Sequence, residues 1–259
     1  MSNLPDKHEP EVEQLAEGTL MSHLLELRSR LMKAVFAVVL VLIALTPFSQ
    51  RIFEYMSEPL RRVVPRGELI VTKVASPFLT PFKTTFFVAL FIAMPYVLFQ
   101  VWQFVAPGLY RREKRFALPL IVSSIVLFYV GIAFAYLVVF GVMFSFFAKV
   151  TPAGVAMTPD IDAFLDFVLE MFLAFGLVFE VPIATFMLVG SGLVSFQTLK
   201  KARPYLVLVA FTVGMLLAPD PFSQTLLAVP MYLLYESGLL LARFLLPEKT
   251  RVVEKEAGT

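Results

Sequence analysis

An all-α, polytopic membrane protein is the fold class this sequence predicts, and three observations predict it. The chain is 58% hydrophobic with 27 Phe, only 16% charged, and its mean hydropathy is +0.79. A globular domain of 259 residues has too little core to hide that much apolar surface. The apolar residues also gather into six runs separated by charged or Pro-rich breaks. Finally, Glu180 has nine uncharged residues before it and nineteen after it. A carboxylate that deep in an apolar run marks a functional site by default, because carrying it into hydrocarbon costs several kcal/mol (roughly) unless water or a partner relieves it.

The runs span approximately 31–48, 84–106, 116–148, 163–190, 205–218 and 222–246. They form a transmembrane domain over 19–246, between a polar tail at 1–18 and a second tail at 247–259. Residues 1–18 lack the basic start of a cleavable signal peptide, so the first run is expected to be retained. Lacking water, each run must be helical to pair its own backbone groups. A span needs ~20 apolar residues. The third run exceeds this and must tilt, bend or project. The fifth falls short, so it thins the bilayer or leans on snorkelling Lys201 and Arg203; a re-entrant hairpin of runs five and six is the alternative. Pro95, Pro119, Pro182 and Pro230 lie within runs and bend them. Bent helices of unequal length suggest a concave cup.

Orientation follows the placement of Lys and Arg near the run ends. An N-in, C-in arrangement keeps most of the 22 basic residues inside, including Arg28, Arg30, Lys33, the run Arg111–Arg115, Lys200, Lys201 and Arg203. The segment 49–83 dissents with six cations, but it is long, whereas the loops at 107–115 and 191–203 are short and decisive.

Composition excludes several functions. A net charge of +2 does not argue for nucleic acid, and the absence of Cys removes disulfides, thiol catalysis and thiolate metal sites. There is no His-Glu-x-x-His or Gly-x-Gly-Asp motif, and both His lie outside the runs. No enzyme activity, metal or other cofactor is expected.

Four places carry chemistry. Met21–Lys33 reads as a short amphipathic helix in which Glu26 and Arg30 lie one turn apart. The pair is either a solvated interfacial ion pair or a carboxylate offered to a basic ligand. In Trp102–Arg115, Pro107-Gly108 ends a helix, and Glu113 stands alone among four cations. It is either one charge of a topogenic loop or one of two carboxylates receiving a guanidinium, whose planar fork suits a carboxylate as Lys does not. Asp162, Asp166, Glu170 and Glu180 fall within roughly 80° of one face of a straight helix, which implies a wet or protein-lined groove. The outer turn Ala218–Thr225 holds Asp220, a helix cap by its position, followed by Ser223, Gln224 and Thr225, which can bond a neighbouring helix.

These pieces, in this order, resemble the TatC family, the multispanning core of the twin-arginine protein translocase. The resemblance runs from about 19 to 245 and rests on His23–Leu31, Ala75–Lys83, Phe104–Leu109 with Glu113, Phe175–Pro182, Lys200–Tyr205 and Phe222–Leu226. It implies a receptor in the bacterial cytoplasmic (inner) membrane, with both termini cytoplasmic. The receptor would bind twin-arginine signal peptides of folded preproteins and work with TatA/TatB-type single-span partners. It would self-associate into a multimeric complex and be driven by the proton motive force. By the same resemblance Glu26 and Glu113 accept the signal's two arginines, on a surface that includes Arg28, Phe104, Pro107 and Leu109. Pro59 and Asp220 match outer-loop positions important in the family, Glu180 matches an acid lining an intramembrane polar groove, and Met215, Gln224 and Thr225 fall where partner helices dock. Two departures stand out: Ala218-Pro-Asp-Pro is one residue shorter than the expected Thr-Pro-Pro-Asp turn, and Asp166 and Glu170 are more acidic than the pattern and inherit no role. A proton- or cation-coupled transporter or channel using Glu180 is the rival, although the two halves show no internal repeat.

Overall fold

The computed structural model describes residues 9–61, 70–105, 114–152, 155, 158–217 and 220–245, with side-chain surroundings for all of these except 9–20, 22, 58–61, 114–117 and 217. The described residues are helical apart from turns and one isolated parallel bridge, Ile70 with Asp160.

No Gly or Pro interrupts residues 19–45, so the expected amphipathic lead-in and the first span form a single helix, α1 (Glu9–Leu45). Pro47 ends it in a 3₁₀ turn at Thr46–Phe48. The stretch 49–83, read from sequence as a loop, begins with a further helix, α2 (Ser49–Arg61), which lays Phe53 and Met56 on the core. Helix α3 (Ser76–Val105) starts eight residues earlier than hydropathy places it. Thr84 and Thr85 are buried there and donate to the carbonyls of Thr80 and Pro81 (2.8 and 2.7 Å), so these hydroxyls meet no lipid.

Helices α4 (Lys114–Phe134) and α5 (Phe140–Val150) join through a wide π turn at Ala135–Val139, the adjustment the long third run required. The fourth run is broken: α6 (Ile161–Val178) stops at Phe179-Glu180 and α7 (Val181–Gly190) restarts with Pro182, which has no N–H to continue a ladder. Gly192 (φ 75°) turns the chain into α8 (Phe196–Lys201), whose start is capped by Ser195 accepting from the Thr198 amide (3.1 Å). Helices α9 (Arg203–Leu217) and α10 (Pro221–Leu245) follow. Among the described residues, five helical stretches are long and apolar enough to cross a membrane, and Arg203–Leu216 is a shorter apolar one.

Helix α6 is the hub, packed against α3, α4 and α10. Its buried face (Leu165, Val168, Leu169, Phe172 and Phe175) meets Phe140 and Met143 from α5 and Leu227 and Met231 from α10. Helices α4 and α6 cross at two glycines. A Cβ on Gly131 would sit 2.4 Å from the Phe175 carbonyl oxygen, and one on Gly176 would sit 2.5 Å from the Phe128 ring. Helix α1 packs chiefly on α3, and Ala34 is its one buried residue among those described. A concave apolar groove of about 550 Å³ opens beside α6, lined by Met56, Phe91, Tyr129 and Phe172 among others. The bundle end that holds Arg28, Arg30, Lys33, Lys200, Lys201, Arg203 and Arg243 is called the basic end below.

At the opposite end, residues 70–72 are strapped onto the start of α6. Ile70 donates to the Pro159 carbonyl (3.1 Å) and accepts from the Ile161 amide (2.9 Å). Asp160 caps α6 through the amides of Asp162 and Ala163, and also accepts from the Thr72 hydroxyl (2.5 Å) and amide (2.8 Å). The Thr72 bonds, with the cap amides, hold the Asp160 carboxyl down to about 2 from its ordinary 3.8. Because the folded value is depressed, the strap's contribution is complete above about 3.8 and is lost as pH falls through about 2. Carboxyl-carbon NMR of Asp160 should therefore titrate near 2, and Thr72→Val should move the midpoint up towards 3.8; an unmoved midpoint would show that Thr72 does not hold it.

Candidate functional site

At the basic end, α1 and α3 build a clasp. Glu26 Oε1 accepts from Arg30 Nε (2.9 Å) and Nη2 (2.6 Å), so one carboxylate oxygen takes two arms of a guanidinium. The third nitrogen, Nη1, donates to Gln103 and, at 3.5 Å, to Gln100 on α3. One turn further along, the His23 ring stacks on Phe104, centroids 4.5 Å apart at 22°. Glu26 and Phe104 are half-buried and Arg28 is exposed, so the carboxylate faces outward on a surface with an aromatic floor. Pro107, Leu109 and Glu113 lie outside the described residues, and Pro59 is placed in α2 by its backbone alone.

Glu180 sits at the break between α6 and α7 and is only 7% exposed. It is enclosed by protein rather than lining an open groove, and the apolar groove beside α6 does not include it. Trp102 of α3 donates its indole N–H to Ser124 Oγ of α4 (2.7 Å), and Ser124 Oγ donates to Glu180 Oε2 (2.5 Å). Indole can only donate, so Ser124 accepts from Trp102 and its own proton is left for the Glu180 carboxylate. Glu180 Oε1 has no hydrogen-bond partner among the described residues. Three helices thus meet on one carboxylate.

The remaining acids of the expected stripe do not continue a groove. Lys83 reaches Asp162 (2.8 Å) and Asp166 (2.7 Å), Lys73 reaches Asp162 (3.1 Å), and the Thr80 hydroxyl adds a bond to Asp162 (3.2 Å). A compact ion cluster closes that end, as buried charge requires when it lies in a span. Glu170, a turn further in, is exposed.

Asp220 is a helix cap: its Oδ1 accepts from the Ser223 amide (2.8 Å). Met215 on α9 is 67% exposed. Gln224 packs tightly on α9, where a Cβ on Gly214 would lie 3.1 Å from its Cα. Thr225 is exposed and bonds its own helix at the Pro221 carbonyl (2.7 Å). Arg203, read from sequence as snorkelling, instead pairs with Glu236 of α10 (2.6 Å). Sequence reasoning missed Ser124, Trp102, Gln100, Gln103, Lys73 and Lys83 as partners. The signal was there for Trp102, the only Trp of the chain, and for Ser124, a hydroxyl in an apolar run.

The family model described as Sec-independent protein translocase protein (TatC) matches residues 22–230. The Sec-independent protein translocase protein TatC of Azotobacter chroococcum mcd 1 is 58% identical over 222 residues, covering 85% of this chain and 87% of that one. Its counterpart from Haemophilus influenzae is 52% identical over 231 residues, covering 88% and 90%. A crystal structure of the twin arginine translocase receptor TatC superposes with a TM-score of 0.76 at 34% identity, covering 85% of this chain and 98% of that one. With the clasp, the buried acid and the helix order all lying inside the matched range, this chain belongs to the TatC family of Sec-independent protein translocase proteins.

Proposed function

We propose that this chain is the signal-receiving core of a twin-arginine translocase in a bacterial cytoplasmic (inner) membrane, with the basic end and both termini in the cytoplasm. It binds the Arg pair of folded preproteins' signal peptides on the surface of Glu26, Phe104, Pro107, Leu109 and Glu113. It recruits TatA/TatB-type single-span helices along α9 and α10 near Met215, Gln224 and Thr225, assembles into a multimer, and exports its cargo with the proton motive force.

One observation carries this reading: Glu26 already holds a guanidinium, that of Arg30. The signal's arginine therefore exchanges with a resident fork rather than entering an empty site. An incoming Arg restores the bonds that Arg30 gives up, whereas Lys presents a point charge and restores them only in part. The clasp thus favours Arg through competition.

The test is binding of Arg-Arg and Lys-Lys signal peptides to the purified protein. Each charge-assisted pair is worth about 1.5–3 kcal/mol, so Glu26→Ala/Glu113→Ala should weaken Arg-Arg binding by more than about a hundredfold. Arg30→Gln, which removes the competitor, should tighten both peptides several-fold and narrow the gap between them. Binding indifferent to the arginines and to both carboxylates would sink the receptor role and bring the Glu180-based transporter forward. An unchanged gap in Arg30→Gln would sink only the exchange.

A further inference from the structure

At the basic end, α8, α9 and α10 enclose a cavity of about 470 Å³ that no role described above uses. Its wall carries Lys200, Arg203 and Arg243 against a single carboxylate, Glu236, over an apolar floor that includes Phe196 and Leu239. The Arg203–Glu236 pair is joined by a bond from Nη2 to Oε2, and Arg203 Nε and Glu236 Oε1 are buried without a partner among the described residues. Lys200 and Arg243 are exposed and enter no ion pair among the described residues. Among the described residues the cavity therefore holds two cations without an ion-pair partner, an unspent donor and an unspent acceptor. The N-terminus of α9 starts at Arg203, so its helix dipole adds positive potential at the same place. Apolar surface continues from the cavity rim, where Leu240 is 51% exposed, along the same two helices, where Leu233 on α10 and Leu208 on α9 are 62% and 65% exposed.

We propose that this cavity binds the headgroup of a glycerophospholipid, with the phosphodiester on Lys200, Arg203 and Arg243 and a headgroup O–H or N–H donor on Glu236. Each feature selects part of that ligand. One phosphate supplies negative charge to a basic interfacial pocket. A terminal hydroxyl or ammonium gives the Glu236 side the donor it lacks. The exposed leucines then receive the acyl chains. A choline headgroup, with no O–H or N–H, leaves Glu236 unsatisfied, so phosphatidylglycerol and phosphatidylethanolamine should be held in preference to phosphatidylcholine.

The test is native mass spectrometry of the full-length protein, delipidated in detergent and titrated with each of the three lipids or with glycerol 3-phosphate. Phosphatidylethanolamine should be retained about tenfold more than phosphatidylcholine, a comparison at equal net charge. Phosphatidylglycerol should be retained at least as well as phosphatidylethanolamine. Lys200→Gln/Arg243→Gln, both exposed positions, should cut retention of the first two lipids about tenfold without changing the thermal midpoint in detergent. Glu236→Leu should keep phosphatidylglycerol bound while erasing the preference for phosphatidylethanolamine over phosphatidylcholine. Equal retention of the three lipids by the wild type, or retention untouched by the double variant, would overturn the site. Glycerol 3-phosphate binding as tightly as the lipids would make the ligand a soluble phosphate instead.

Discussion

Gly131→Val is expected to unseat α4 from α6. The first added carbon would lie 2.4 Å from the Phe175 carbonyl oxygen and 2.9 Å from the carbonyl carbon, which are backbone atoms that cannot rotate away. The helices must separate, and with them go Gly176 over the Phe128 ring and the contact between α4 and α6 that helps seat Glu180. Overpacking of this kind costs about 1–3 kcal/mol, occasionally more. In a protein held together by packing rather than by hydrophobic exclusion, such a loss should show as a lowered thermal midpoint and accelerated proteolysis. Gly141→Val makes the control, because a Cβ there meets nothing within 4 Å. Comparable destabilisation of both variants would mean that helix propensity, not the crossing, governs the effect.

The second large effect concerns Ser124. Ser124→Ala removes the hydroxyl that bonds Glu180 and accepts from Trp102. Two buried polar groups are then unpaired, at about 1–3 kcal/mol each by the usual cost, although interhelical bonds in membranes average nearer ~0.6 kcal/mol. We expect preprotein export to fall at least tenfold (roughly), while Ser124→Thr, which keeps the hydroxyl, restores it. Trp102→Phe should leave Ser124 bonded to Glu180 and cause a smaller loss. Export unaffected by Ser124→Ala would show that Glu180 needs no support from α4. Failure of threonine to rescue would mean that shape, rather than the hydroxyl, is what the position supplies.

The ease of reading this chain varied from element to element, for physical reasons. The spans were legible because bilayer thickness fixes their length and hydropathy follows burial in lipid. That logic failed where helices bury polar residues in protein. Residues 76–83 look like a loop by hydropathy, yet they begin α3, where Thr80 is buried and its hydroxyl bonds Asp162 of α6. Amphipathic α2 was missed because it does not span. Glu180 and Glu26 stood out because charge is expensive in one place and paired in the other. Their partners could not be read, since Ser124, Trp102 and Gln103 lie 56, 78 and 77 residues away in sequence and only the crossing of helices brings them close. The stripe of four acids assumed a straight helix. The break at Phe179-Glu180 and the reach of Lys73 and Lys83 divided it into an ion cluster at Asp162 and Asp166, an exposed Glu170 and a buried Glu180.

Helix α1 touches little besides α3, and this has a consequence for the order of events during synthesis. The chain leaves the ribosome N-terminus first, so α1 is made before α3, the helix it packs on. It is built for that, since its side chains above Arg30 are apolar nearly all round and Glu26 and Arg30 neutralise one another a single turn apart. Gln100, Gln103 and Phe104 emerge more than sixty residues later. The clasp of Glu26, Arg30 and Gln103 therefore comes into existence only when α3 docks, and a half-made chain carries α1 without it.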